Sequence, residues 1–230
     1  MMTPSLSIII PTLNEHENLP PALASCHPPE DVEIIVVDGG STDGTCELVR
    51  QSGVTLVASE PGRGKQMNVG ARMAKGEILL FLHGDTVLPE GYQAQILKVL
   101  ELQGVVAGAF RLSIKGKPLS LRAIETVVNL RSRILQMPFG DQALFLRRGV
   151  FEQAGGFREI SIMEDFDLVR RLRKRGEIGI AERPVVTSGR RWERLGPWRT
   201  TLMNQIAILA YLIGISPANI ARFYFRKGRD

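Results

Sequence analysis

The sequence predicts an α/β protein built on a mostly parallel sheet with helices on both faces. Three observations carry that expectation. Short apolar runs alternate with stretches of helical length through the first half of the chain. The runs, such as Ile8-Ile9-Ile10 and Ile34-Ile35-Val36-Val37, are near-continuous in branched residues, as strands covered on both faces require. Three of the first four runs end in polar clusters: Thr12-Leu13-Asn14-Glu15, Asp38-Gly39-Gly40-Ser41 and His83-Gly84-Asp85-Thr86. Ligands of open α/β sheets sit beyond the carboxyl ends of the strands.

Taken in order, residues 6–10 read as a strand and 15–25 as a helix. A second strand covers 33–37 and a second helix 42–51. The strand 54–58, the helix 64–74 and the strand 78–82 continue the series. After a helix over 91–102, residues 105–114 alternate as a strand does. A helix over 118–135 follows, then a loop at Pro138-Phe139-Gly140 and a strand over 142–146. An Arg-studded helix spans 162–174 and a short strand 183–187. The last thirty residues read as helical, broken at Pro217, and no linker separates two folding units.

With 230 residues the chain can bury one sizeable core. Its net charge of +5 hides an asymmetry. Residues 1–169 hold 15 Lys/Arg against 20 Asp/Glu, whereas residues 170–230 hold 14 against 4. A basic end on an acidic body suits phosphate, pyrophosphate or a lipid headgroup, or is simply a solvated face. No nucleic-acid recognition module is visible. Cys26 and Cys46 lack the spacing of a metal knuckle and imply no disulfide framework, which points to a reducing cytoplasm. No signal peptide is apparent. The apolar stretch 202–215, interrupted by Asn204 and Gln205, falls short of the ~20 residues of a spanning helix.

Several clusters can carry chemistry. Asp38 at a strand end, followed by glycines, suits hydrogen bonds from a base or ribose; an ordinary turn with a helix cap explains it equally. Arg63 and Lys65 start a helix and can contact a base or diphosphate, but the loop lacks the spacing of a phosphate loop. Asp85 emerges from a buried strand, placed either to bind a hard divalent cation or to make a turn. His83 is a candidate ligand suited to a softer ion, a group that orients a metal ligand, or a pyrophosphate contact. Glu164-Asp165 opens an amphipathic helix, where a carboxylate complements the dipole or acts as a general base. Asp141 can orient sugar or acceptor hydroxyls. Arg190, Arg191 and Trp192 can grip a diphosphate or an acceptor, or rest on anionic lipid with the helix after them.

Together, Ile8-Ile9-Ile10-Pro11-Thr12-Leu13-Asn14-Glu15, Val36-Val37-Asp38-Gly39-Gly40-Ser41-Thr42-Asp43-Gly44-Thr45, His83-Gly84-Asp85 and Glu164-Asp165 resemble family 2 of the glycosyltransferases in order and spacing. The resemblance implies a GT-A fold, a nucleoside-diphosphate sugar donor (uridine-linked in most members), a divalent cation such as Mg²⁺ or Mn²⁺, and inversion. It assigns Thr12, Glu15 and Asp38 to the nucleoside, Arg63 to the base, Asp85 to metal and diphosphate, and Asp165 to proton removal from a small-molecule or lipid-linked acceptor. It also divides the chain into a catalytic domain over 1–187, its donor half about 1–112 and acceptor half 113–187, and a basic helical extension over 188–230. His83 departs from the family by replacing the first carboxylate of the metal motif, and Ser188 stands where processive members carry Gln. His83-Gly84-Asp85-Thr86 and Gly140-Asp141-Gln142 are similar to a short bacterial subgroup linked to arsenosugar biosynthesis. Two alternatives stay open: a sugar nucleotidyltransferase, whose Gly-rich loop would follow the first strand, and a nucleotide-sugar binder without turnover. The basic extension leaves a monomer, a dimer through its helix or a peripheral protein on the inner membrane face as expectations.

Overall fold

The computed structural model describes residues 5–26 and 31–226; the last four residues of the basic extension lie outside the described residues. Eight strands form one sheet: β1 (Leu6–Thr12), β2 (Val32–Asp38), β3 (Thr55–Ala58), β4 (Ile78–Phe81), β5 (Thr86–Val87), β6 (Val105–Ile114), β7 (Leu144–Arg147) and β8 (Glu177–Thr187). Their spatial order is β3-β2-β1-β4-β7-β6-β8-β5. Six strands share one direction, while β7 and β5 run against their neighbours. The mostly parallel α/β expectation therefore holds, with an antiparallel insertion in its middle.

Helices cover both faces: α1 (Leu19–Ser25), α2 (Thr45–Gln51), α3 (Arg63–Met73), α4 (Tyr92–Leu100), α5 (Leu119–Leu135), α6 (Arg148–Gln153) and α7 (Glu164–Leu172). Beyond β8 come α8 (Arg190–Leu195), α9 (Pro197–Leu212) and α10 (Pro217–Arg226). Alternate residues of β1 feed two cores. Ile8 and Ile10 pack toward α1 and α4, and Ile9 packs toward Met67 and Ala71 of α3. Burial on both faces is what the near-continuous apolar runs require. A third cluster joins Ile162, Met163 and Phe166 to Met203 and Ala207 of α9 and Ile220 and Tyr224 of α10.

Several elements differ from expectation. Helix α1 starts at Leu19 rather than 15, because the backbone of 14–16 is bonded to a neighbouring loop. The amides of Asn14, Glu15 and His16 donate to Ser41 Oγ, Thr45 Oγ1 and Asp43 Oδ2 at 2.8, 3.0 and 3.0 Å. Pro20 and Pro21 then occupy the first turn, where no amide is needed. Strand β8 begins at Glu177, six residues earlier than expected, since a register shift opposite Phe110 and Arg111 breaks its alternation at Glu182 and Arg183. Strand β7 begins at Leu144 rather than 142, because Gly140–Gln142 form a 3-10 turn. The short β5 and α6 carry too few residues for a period to show.

Candidate functional site

The parallel strands deliver their ends to one edge. Thr12 and Asp38 are register partners at the ends of β1 and β2, and both are buried. Gln66 of α3 locks this edge, donating from Nε2 to the carbonyls of Thr12 and Val37, each at 2.8 Å. It is buried and lies against Gly39, where a Cβ would stand 3.1 Å from its Nε2. The Asp38 carboxylate turns into its own loop, accepting from the amides of Gly40 at 2.8 Å and Ser41 at 2.9 Å and from the Ser41 hydroxyl. Burial pushes that carboxyl up, but the Ser41 and Gly40 hydrogen bonds outweigh it and hold the pKa below the ordinary value.

A cleft of about 1050 Å³ opens beyond this edge. It is lined by Thr12, Glu15, Arg63, His83, Asp85, Asp141, Asp165, Arg190 and Trp192 among others. One rim of it is electrostatically clamped: Arg190 Nη2 reaches Glu15 Oε2 at 3.0 Å and Asp85 Oδ2 at 3.3 Å. The amide of Ser188 also donates to the Asp85 carbonyl at 3.1 Å, tying the start of the basic segment to the end of the β4 loop. Burial raises the Glu15 carboxyl more than Arg190 lowers it.

Asp165 stands in the first turn of α7. Its Oδ2 accepts from the Gly140 amide at 2.6 Å and its Oδ1 from the Phe166 amide at 2.7 Å. A carboxylate has about four acceptor positions, so two remain for a ligand. Met163 before the helix is left-handed, with φ 73°, a costly conformation for a non-glycine residue that sets the direction of this turn. Gly140 touches both sides of the site: a Cβ there would lie 3.0 Å from Asp165 Oδ2 and 3.0 Å from His83 Nε2. Burial, then the positive charge of Arg63, lower His83 to about 4, so its imidazole is neutral near pH 7.

Asp141 lies next to this pair with one carboxylate oxygen buried and unpartnered. Burial lifts it to about 6 against the pull of Arg131. Arg131 stacks its guanidinium 3.6 Å from the Phe139 ring centroid. Gln142 holds the whole loop, since its Nε2 donates to Phe110 O at 2.9 Å and its Oε1 accepts from Ser132 Oγ at 2.7 Å.

The structure thus brings Thr12, Glu15, Arg63, His83, Asp85, Asp141, Asp165, Arg190 and Trp192 to one cavity. Three residues named from sequence point elsewhere. Asp38 is turned into its loop, Lys65 pairs with Glu60 at 2.6 Å, and buried Glu164 pairs with Arg63 at 2.8 Å. That last pair ties α3 to α7. Glu164 raises the Arg63 pKa, whereas burial raises that of Glu164 more than Arg63 lowers it. Trp192 is buried, in a cluster with Leu112, Ile114, Leu121 and Ile124. The Arg191 side chain lies outside the described residues. Sequence reasoning did not find Gln66, Gln142 or Arg131; a buried amide looks like any polar residue until its carbonyl partners are known.

Among the described residues, no three His, Cys, Asp or Glu side chains converge as a protein-only metal cage. What the rim offers is oxygen ligands. Glu15 and Asp85 share one cation, the Arg190 guanidinium, so the place between them favours positive charge.

Known proteins share this architecture. The mannosyltransferase PcManGT from Pyrobaculum calidifontis, solved with GDP-Man and Mn²⁺, superposes with a TM-score of 0.67 over 99% of this chain and 70% of its own, at 23% identity. S. aureus TarS residues 1–349, solved with UDP-GlcNAc, gives 0.65 over 96% and 72%, at 19% identity. These likenesses show a GT-A fold. Glycosyltransferase AglE of Haloferax volcanii is 36% identical over 93 residues, covering 36% of this chain and 31% of its own. The PGL/p-HBAD biosynthesis glycosyltransferase of Mycobacterium bovis is 39% identical over 99 residues, 39% of each chain. The matched stretch is therefore less than half the length of these curated relatives. The model of Glycosyl transferase family 2 matches residues 7–160, and the chain belongs to that family.

Proposed function

We propose that this protein transfers a sugar from a nucleoside-diphosphate sugar, uridine-linked, to a hydroxyl acceptor, with inversion in one in-line displacement. One observation carries the reading: Asp165, with free acceptor positions, faces the same cleft as the Glu15–Asp85–Arg190 rim. The rim suits a diphosphate, and Asp165 suits the acceptor side. Asp165 removes the proton from the attacking hydroxyl, while Gly140 and Phe166 keep its carboxylate from rotating. Arg190, released from Asp85 and Glu15, turns to the diphosphate and stabilises the charge that develops on it. His83, neutral and beside Asp165, donates a hydrogen bond to sugar or phosphate without adding charge.

A divalent cation would be held by the Asp85 carboxylate, a hard oxygen ligand of the kind Mg²⁺ takes. Bound there, it supplies Lewis-acid neutralisation of the leaving diphosphate. The likeness to a structure holding GDP-Man and Mn²⁺ supports such a requirement. The cleft floor beside α9 and α10 includes Ile162, Phe166 and Ile208 and receives the acceptor. Acceptors of arsenosugar biosynthesis are the first to test, on the likeness of the His83-Gly84-Asp85-Thr86 and Gly140-Asp141-Gln142 stretches.

The deciding experiment screens nucleoside-diphosphate sugars by thermal shift with and without Mn²⁺, then measures release of nucleoside diphosphate. A metal-dependent shift followed by slow release from one donor is the expected result. Binding without any release, with water or with acceptor, would leave only a nucleotide-sugar binder.

A further inference from the structure

We infer that the helical face formed by α5 and α9 docks on a membrane surface rich in anionic lipid. Along α9 and its C-terminal cap, Leu202, Ile206, Leu209 and Ile213 follow one another at helical spacing, and Leu202, Leu209 and Ile213 are 61–69% exposed. The opposite side of the same helix is spoken for. Met203 and Ala207 pack on Ile162 and Phe166, and Asn204 and Ile208 line the cleft. Helix α5 touches α9 and repeats the pattern: Val127, Leu130 and Ile134 are exposed, while Leu121 and Ile124 are buried. Two neighbouring helices thus present aliphatic stripes to solvent, more than single scattered hydrophobes would.

Charge decides between occupants. Helices α5 and α9 together carry four Arg, at 122, 131, 133 and 199, against one acidic residue. The one acidic residue of α5, Glu125, is already paired with Arg122 at 3.0 Å. A second copy of the chain would bring two pairs of net-positive helices together, which like-charge repulsion opposes. An anionic bilayer matches both the apolar stripe and the net positive charge of these helices, as for helices that lie in a membrane interface. Trp198, 68% exposed at the start of α9, has the amphipathic ring that such interfaces favour. No helix among the described residues is long and apolar enough to cross the bilayer, so the face lies on it. This inference does not depend on the proposed reaction.

The test is flotation of the full chain with phosphatidylcholine vesicles, with and without phosphatidylglycerol. The chain should float with the anionic vesicles and release them at high salt. Replacing Leu209 and Ile213 together by Glu should weaken partitioning at least about tenfold. Far-UV circular dichroism and melting checks that this pair still folds. Anionic vesicles should also shift the tryptophan emission to the blue, a shift that Trp198→Phe removes; this readout stands on a nearly native chain if the double variant does not fold. Failure of the wild-type chain to float, or equal flotation by a folded double variant, overturns the proposal. So does a wild-type dimer in light scattering that the double variant turns into a monomer with no vesicle binding by either.

Discussion

Asp165 and Asp141 are neighbouring carboxylates in opposite circumstances. Two backbone amides satisfy Asp165, whereas Asp141 keeps a buried oxygen without a partner. Substituting Asp165→Asn keeps the shape and one of the two backbone amide contacts, since the new NH2 cannot accept, and removes the base. We expect kcat to fall about 10³-fold with donor affinity nearly unchanged, read by initial rates and calorimetric titration of the donor. Full turnover in that variant removes Asp165 from the mechanism. Asp141 gives a pH prediction. Its folded pKa of about 6 lies above the ordinary 3.8, so the native state binds the extra proton and stability falls as pH rises through that window. Asp141→Asn should therefore raise the melting temperature at pH 8 by a few degrees, about 1–2 kcal/mol, and leave it unchanged near pH 4. Melts at both values check the sign; equal shifts at the two would mean the carboxyl is not strained by burial.

Between elements, close approach is what places the site. Helix α3 carries Gln66 to the sheet edge because Gly70 lets it approach β1 and β2. A Cβ at Gly70 would stand 2.4 Å from Ile9 Cγ2 and 3.0 Å from Val37 Cγ2. Gly70→Ala should cost about 1–3 kcal/mol through overpacking and lower the melting temperature by several degrees. A chemical denaturation series measures it, and an unchanged midpoint would mean α3 can slide. The contact between the start of α8 and the β4 loop rests on Arg190 and on the Ser188 amide. Without that guanidinium, Glu15 and Asp85 repel each other across the rim. Arg190→Ala should lower donor affinity about tenfold and steepen its dependence on divalent cation, both visible in titrations at several Mg²⁺ concentrations. Donor affinity equal to wild type would exclude Arg190 from the diphosphate site.

Over the whole molecule, the terminal helices belong to the packing of the site. Ile162, Met163 and Phe166, which flank Asp165, are buried by Met203, Ala207, Ile220 and Tyr224. Each such side chain is worth about 1.5–3 kcal/mol when fully buried, so losing the cover from three consumes a large share of a domain's total stability. A chain ending at Gly196 should aggregate or bind a hydrophobic dye strongly at neutral pH; a monomeric, cooperatively melting product would show that α9 and α10 are dispensable. Asp167 strengthens the same junction, accepting from Tyr211 Oη at 2.7 Å and pairing with Arg171 at 2.7 Å and Arg158 at 3.2 Å.

The sequence by itself determined most strands, most helices and the placement of polar clusters at the strand ends, because apolar period and turn residues are local properties of the chain. Strand β6 matches expectation at both ends, and Thr12, Glu15, Asp85 and Asp165 are cleft residues as their positions implied. Only the tertiary structure decided which polar groups are spent on the protein itself. Asp38, Lys65 and Glu164 each find a partner, two of them close in sequence and one a hundred residues away. It also turned β7 against its neighbours, drew Glu15 and Asp85 onto Arg190, and gave Gln66 and Gln142 their carbonyls. Hydrogen bonds and ion pairs between distant segments leave no periodic trace, since their energy depends on a separation in space that the order of residues does not encode locally.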